Sequence, residues 1–89
     1  MKAVITVTGK DSMGIIASVA GVCTELGANI VDISQSVLQE YFAMNMLADI
    51  DELQVEFSEF VDALAAYGQQ KGLTVQAMHE DIFNTMHHI

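Results

Sequence analysis

The sequence predicts an α+β sandwich: a four-stranded antiparallel sheet with two helices on one face and a short helix at the C-terminal tail. Three observations carry this. Four segments read as strands and two carry apolar residues at helical spacing, in the order strand, helix, strand, strand, helix, strand. The chain has 89 residues, room for a single core. A hydrophobic fraction of 52% against 17% charged gives that core enough apolar surface to offset the cost of ordering the chain. Residues 1–89 are expected to fold as one domain, with 81–89 as its tail.

Ala3 to Thr8 is a run rich in β-branched residues ended by Gly9, which reads as a buried first strand. After the polar stretch Gly9-Lys10-Asp11-Ser12, Ile15, Val19, Val22 and Leu26 recur at spacings that share one helical face, and Gly27 stands where a left-handed cap would end that helix. Asn29 to Leu38 alternates, with Val31, Ile33 and Val37 set against Asp32, Ser34 and Ser36, as a half-buried strand would. Tyr41 to Ile50 alternates as well, placing Phe42, Met44, Met46, Ala48 and Ile50 on one face. The link through Gln39 and Glu40 is short enough for a hairpin.

Asp51 and Gln54 have capping-box spacing, so the second helix is expected to start there. Its face is Phe57, Phe60, Val61, Leu64 and Gly68, and Lys71-Gly72 supply a late positive charge and a stop. Leu73 to Met78 alternates as a fourth strand. Ile82, Phe83, Met86 and Ile89 have helical spacing in the tail. The element order is βαββαβ, that of ferredoxin-like sandwiches. Strand parity predicts that Ile5, Val7, Ile33, Met44 and Met46 face the helices, leaving Val4, Thr6, Asn45, Leu47 and Met78 on the other side.

Three lysines, no arginine and twelve acidic residues leave a net charge of −9, which repels a phosphate backbone, so nucleic acid is not an expected partner. No apolar run approaches the roughly 20 residues of a membrane-spanning helix, and no membrane partner is expected. A lone Cys23 and a start without a signal pattern point to the reducing cytoplasm. An acylphosphatase needs an arginine after the first strand, a heavy-metal chaperone a Cys-x-x-Cys pair, and an RNA-recognition module strand aromatics with basic neighbours; this chain has none of these. Cys23 lies on an apolar helix face and reads as a small buried hydrophobe. His79, His87 and His88 have no metal-ligand spacing and read as structural or surface residues. No catalytic set is visible and no cofactor is implied, so the chain reads as a non-enzyme.

The stretches Gly9-Lys10-Asp11-Ser12-Met13-Gly14-Ile15-Ile16-Ala17 and Leu26-Gly27-Ala28-Asn29-Ile30-Val31-Asp32-Ile33 resemble the ACT domain, whose pattern is Asp-x-x-Gly opening the first helix and Asn-Ile after it. Ser12 and Met13 stand where arginine and proline are frequent in that family. The tail Glu80-Asp81-Ile82-Phe83 with Met86-His87 and Ile89 is similar to the ending of small stand-alone ACT proteins of bacteria and archaea, distantly similar to glycine-cleavage regulators. The resemblance implies a regulatory protein that binds a small amino acid or related carboxylate near a homodimer interface. The residues implied are Lys10, Asp11, Ser12, Met13, Gly14, Ile15, Asn29 and Ile30.

The physics of such a site is independent of the name. The first turn of a helix offers unpaired N–H groups and a positive dipole end to a carboxylate, and Asn29 has both a donor and an acceptor. Asn29 is expected to lie near the loop. The same residues have plain structural uses: Asp11 or Ser12 as a helix cap, Gly14 as relief in packing, Asn29 as a turn former. The alternative is a ligand-free module that docks on a regulator or a metabolic enzyme, an unidentified protein partner. Two features favour a second copy of the chain as a partner: an open sheet leaves its edges unpaired, and one of its faces is bare.

Overall fold

Backbone pairing follows the alternation in the sequence. The computed structural model describes residues 1–10 and 14–86. Its elements are β1 (Lys2–Lys10), α1 (Ile15–Glu25), β2 (Asn29–Leu38), β3 (Tyr41–Asp49), α2 (Phe57–Lys71), β4 (Thr74–His79) and α3 (Glu80–Met86). The strands form one antiparallel sheet in the order β2-β3-β1-β4. The βαββαβ order, the open sheet and the tail helix are those expected; His87, His88 and Ile89 lie outside the described residues.

Ile5 sits between Met46 and Ala77, and Val7 between Met44 and Val75. All four expected core residues of β1 and β3 are buried under α1 and α2, together with Val19, Cys23, Phe60 and Leu64. Val4 is flanked by Leu47 and Met78, and Thr6 by Asn45, so the opposite face also has the expected members.

Ile33 pairs with Met46 and has the expected parity, yet it is 39% exposed. The half-buried reading of its strand does not hold. β2 is an edge strand that α2 does not contact and α1 contacts without covering, and residues 31–37 are exposed throughout. The register also slips between Ile30, opposite Ala48, and Asp32, opposite Leu47, leaving Val31 as the extra residue of a β-bulge. The expected hairpin forms: Leu38 pairs with Tyr41 across Gln39 and Glu40, and Gln39 takes a φ of 54°.

The end of α1 follows from Gly27. At φ 94° it donates its N–H to Thr24, while Ala28 donates to Cys23 at 2.9 Å, closing the last turn as a Schellman motif. A Cβ on Gly27 would come within 2.5 Å of the Glu52 carbonyl oxygen. That close approach docks the loop before α2 onto α1, where the Gln54 N–H donates to the Leu26 carbonyl at 2.9 Å.

The same docking explains why α2 starts at Phe57 and not near Asp51. Gln54 is held to α1, and the Asp51 carboxylate accepts from the N-terminal ammonium of Met1 in place of a helix N–H. The N-cap is Glu56, in extended conformation. The expected stop is found, with Lys71 in the last turn and Gly72 as the left-handed cap. α2 then lies close on β4 through Gly68, whose backbone faces Val75 and the Leu73 carbonyl. α3 folds onto the helix-free side against β1 and β4, which is why Val4, on that face, is only 6% exposed.

Candidate ligand site

The expected ligand-binding residues fall at the two ends of the sheet. At one end, β1 runs out at exposed Lys10, the partner of Tyr41, which is in turn the partner of Leu38. The N-cap of α1 is Gly14, at φ 82°, and a Cβ there would meet none of the described residues within 4 Å. The first helical hydrogen bond runs from the Ser18 N–H to the Gly14 carbonyl, 2.9 Å. The N–H groups of the turn ahead of it have no acceptor inside the helix, which suits this end to an anion. Ile15 is buried in the core and fixes where α1 begins. Asp11, Ser12 and Met13 lie outside the described residues.

Asn29 and Ile30 begin β2 at the other end, where Asn29 pairs with Asp49 and Asp49 with Lys2. Eight strand residues of about 3.3 Å each separate that end from Lys10, about 26 Å along the sheet. The expectation that Asn29 lies near the loop therefore does not hold within one chain. The cause is topological: α1 carries the chain back across the sheet, so β2 starts where β1 started.

Ile30 is half-buried opposite Ala48 and anchors the start of β2. Asn29 is exposed in an open hollow of about 440 Å³ that it shares with Gly27, Asp49, Asp51 and Glu52. These carboxylates are the surroundings that sequence spacing did not reveal, because the register and the docked loop bring them together. Asp49 accepts the Asp51 N–H at 2.9 Å. The hydrogen bond from the N-terminal ammonium, and then its charge, hold the Asp51 carboxyl below its ordinary value. The Met1 ammonium and Lys2 offset two of the three carboxylates, so the hollow keeps an excess of negative charge that favours an ammonium over a carboxylate. The two ends thus have opposite preferences.

The other chemistry-bearing residues have structural surroundings. Cys23 is fully buried and desolvation pushes its thiol up to about 11, far from a reactive thiolate. His79 stacks on Phe57 with ring centres 4.0 Å apart. Lys71 lies over the Tyr67 ring, 5.9 Å from its centre.

Comparison with known proteins gives one consistent family. A family model described as the ACT domain matches residues 2–78. A UPF0237 protein of Listeria monocytogenes is 44% identical over 87 residues, covering 98% of this chain and 98% of that protein. Among solved structures, an ACT domain protein from Streptococcus pneumoniae superposes with a TM-score of 0.81 at 44% identity, over 93% of each chain. A putative glycine cleavage system transcriptional repressor matches with a TM-score of 0.71 at 27% identity, over 86% of this chain and 44% of that one.

Proposed function

The chain belongs to the ACT-domain family, and from that premise we propose a non-catalytic regulatory protein that binds a small amino acid between two copies of itself. The observation that carries this reading is the placement of the two half-sites. The α1 N-terminus and Lys10 suit a carboxylate at one end of the sheet, and Asn29 among Asp49, Asp51 and Glu52 suits an ammonium at the other. A zwitterion needs both, and one chain keeps them about 26 Å apart.

A second copy removes the separation. β2 is an edge strand whose outer backbone groups have no strand to pair with, and it presents exposed Ile33 and Val37 on the helix side. Pairing two β2 strands antiparallel about Ser34, with the bulged Val31 again passed over in each copy, sets the partner's Asn29 opposite Leu38. Leu38, Tyr41 and Lys10 already form one row across the sheet. The partner's Asn29 then extends that row, three strand spacings of about 4.8 Å from the Lys10 backbone. The side chains of Lys10 and the partner's Asn29 with a small zwitterion between them span such a gap, and the two-fold axis makes two equal sites.

Isothermal titration against the twenty amino acids, with sedimentation of the same samples, tests the reading. A dimer that binds one small amino acid per protomer is expected. Losing the Asn29 amide leaves a buried ammonium short of a partner at a cost of about 1 to 3 kcal/mol, so Asn29→Ala weakens binding roughly 5- to 150-fold. A monomer at micromolar concentration, or no amino acid with a dissociation constant below about 1 mM, overturns the reading and leaves a ligand-free docking module.

A further inference from the structure

The helix-free face of the sheet carries a second hollow, lined by residues that the amino-acid site does not use. The register aligns Val4, Leu47 and Asp32 in one row across β1, β3 and β2, and Thr6, Asn45 and Ser34 in the next. α3 packs over the β1 and β4 side of this face. The β3 and β2 side stays open, leaving a cleft of about 320 Å³ between α3 and the β2 edge. Its size lies at the lower end of small-molecule sites, about 300 to 1,000 Å³.

The cleft is two-natured. Val4 and Leu47 line its floor and Phe83 of α3 adds an aromatic side chain to one wall. Two carboxylates line opposite walls, Asp32 on β2 and Glu80 at the start of α3. Neutral hydrogen-bonding groups stand beside them, from Asn45 and Ser34 on the sheet and Asn84 on α3. None of the three lysines lines it, and among the described residues neither carboxylate has an ion-pair partner. Asp32 accepts the neighbouring Ile33 N–H at 2.9 Å through one oxygen, which leaves the other to a ligand.

These groups select by charge and by shape. An anion meets two carboxylates in a chain of net charge −9. A zwitterion brings its own carboxylate against them. A metal ion is held by several converging ligands, and no group of three histidine, cysteine or acidic side chains placed to hold one occurs among the described residues. An organic ammonium satisfies both halves of the cleft, its head between Asp32 and Glu80 and its body on Val4, Leu47 and Phe83. We propose that this cleft binds a small primary amine that carries a hydrocarbon or aryl body and no carboxylate.

A charge series on the full chain tests this by ¹H–¹⁵N chemical-shift titration. The probes are 2-phenylethylamine, 2-phenylethanol and 3-phenylpropionate, which share a phenylethyl body and differ in the head group. The amine is expected to saturate in the millimolar range or below, shifting the amides of Val4, Asp32, Leu47 and α3, and to weaken as salt is raised. The alcohol binds at least about fivefold more weakly, and the carboxylate leaves these amides unmoved. Both carboxylates are solvent-accessible, so Asp32→Asn and Glu80→Gln each weaken the amine about two- to fivefold. The pair together brings it to the level of the alcohol. An unchanged melting temperature shows that each variant is folded, and Phe83→Ala, which leaves both carboxylates in place, weakens the amine and the alcohol alike. Equal binding of amine and alcohol, an amine-bound double variant, shifts confined to Gly14 and Asn29, or no shift at about 10 mM amine each overturns the proposal.

Discussion

Two glycines on helices, Gly68 in α2 and Gly21 in α1, give opposite answers to the same substitution. By helix propensity alone, alanine for an interior glycine stabilises by about 0.8 to 1 kcal/mol. At Gly68 the structure reverses that sign. A Cβ there would lie 2.6 Å from Val75 Cγ2, 2.9 Å from the Leu73 carbonyl oxygen and 3.1 Å from Val75 Cβ. Neither neighbour gives way easily: Val75 is β-branched and stiff, and the Leu73 backbone is tied to Gly68 by the 2.8 Å bond from its N–H to the Gly68 carbonyl. The helix must lift from β4 by most of an ångström, and overpacking of this kind costs about 1 to 3 kcal/mol. With two contacts under 3.0 Å the upper half of that range applies. After subtracting the propensity gain, Gly68→Ala is expected to destabilise by about 1 to 2 kcal/mol, lowering the melting temperature by about 4 to 16 °C in a domain of this size. Gly21 meets nothing within 4 Å, so Gly21→Ala should raise stability by about 0.5 to 1 kcal/mol. Urea unfolding followed by far-ultraviolet circular dichroism, with all proteins at one protomer concentration, reads both differences. If Gly68→Ala is as stabilising as Gly21→Ala, the close seat of α2 on β4 is refuted.

Three further outcomes follow from the titratable groups. The Cys23 thiol, pushed up to about 11 by burial, holds on the order of 100-fold less thiolate than an ordinary cysteine, so iodoacetamide at pH 8 should label it only after urea unfolding. Its raised value gives a stabilisation that is intact below about pH 9, the unfolded value, and is lost as pH rises towards about 11. Cys23→Ala should flatten that alkaline decline in stability. The Asp51 carboxyl is held below its ordinary 3.8, so its contribution is present above that pH and is lost as acid carries the solution down through the folded value. The stability difference between the parent and Asp51→Asn should therefore be constant from pH 5 to pH 7 and vanish on acidification; a difference that persists in acid refutes the ion pair.

What could be read from the sequence was whatever local pattern decides. The alternation in β1 and β3 placed Ile5, Val7, Met44 and Met46 correctly because both strands lie inside the sheet, where parity and burial coincide. Gly27 and Gly72 marked helix ends correctly because a left-handed cap needs that residue and little else. The start of α2 was misread because the Asp51 side chain is claimed by Met1, a partner 50 residues away that no capping motif encodes. β2 was misread because burial at an edge depends on how far the helices reach. The separation of Asn29 from the loop follows from the direction of α1 and β2, so it was available from the element order; residue types alone drew them together. The cleft under α3 required knowing which face of the sheet the tail covers.

The bulge at Val31 gives β2 a property that other positions in the strand lack. Chain length inside a paired strand is normally inflexible, since losing one residue turns every side chain beyond it to the opposite face. Val31 is the residue that the pairing already skips: Ile30 faces Ala48 and Asp32 faces Leu47 with nothing opposite it. Deleting Val31 therefore leaves the facing of Ile33, Val37 and Asp32 unchanged, whereas deleting Ser34 would send Val37 to the bare side. A strand that looks fixed in length carries one point where a codon can be lost without rewriting its two faces, and that point lies beside the edge on which another strand would dock.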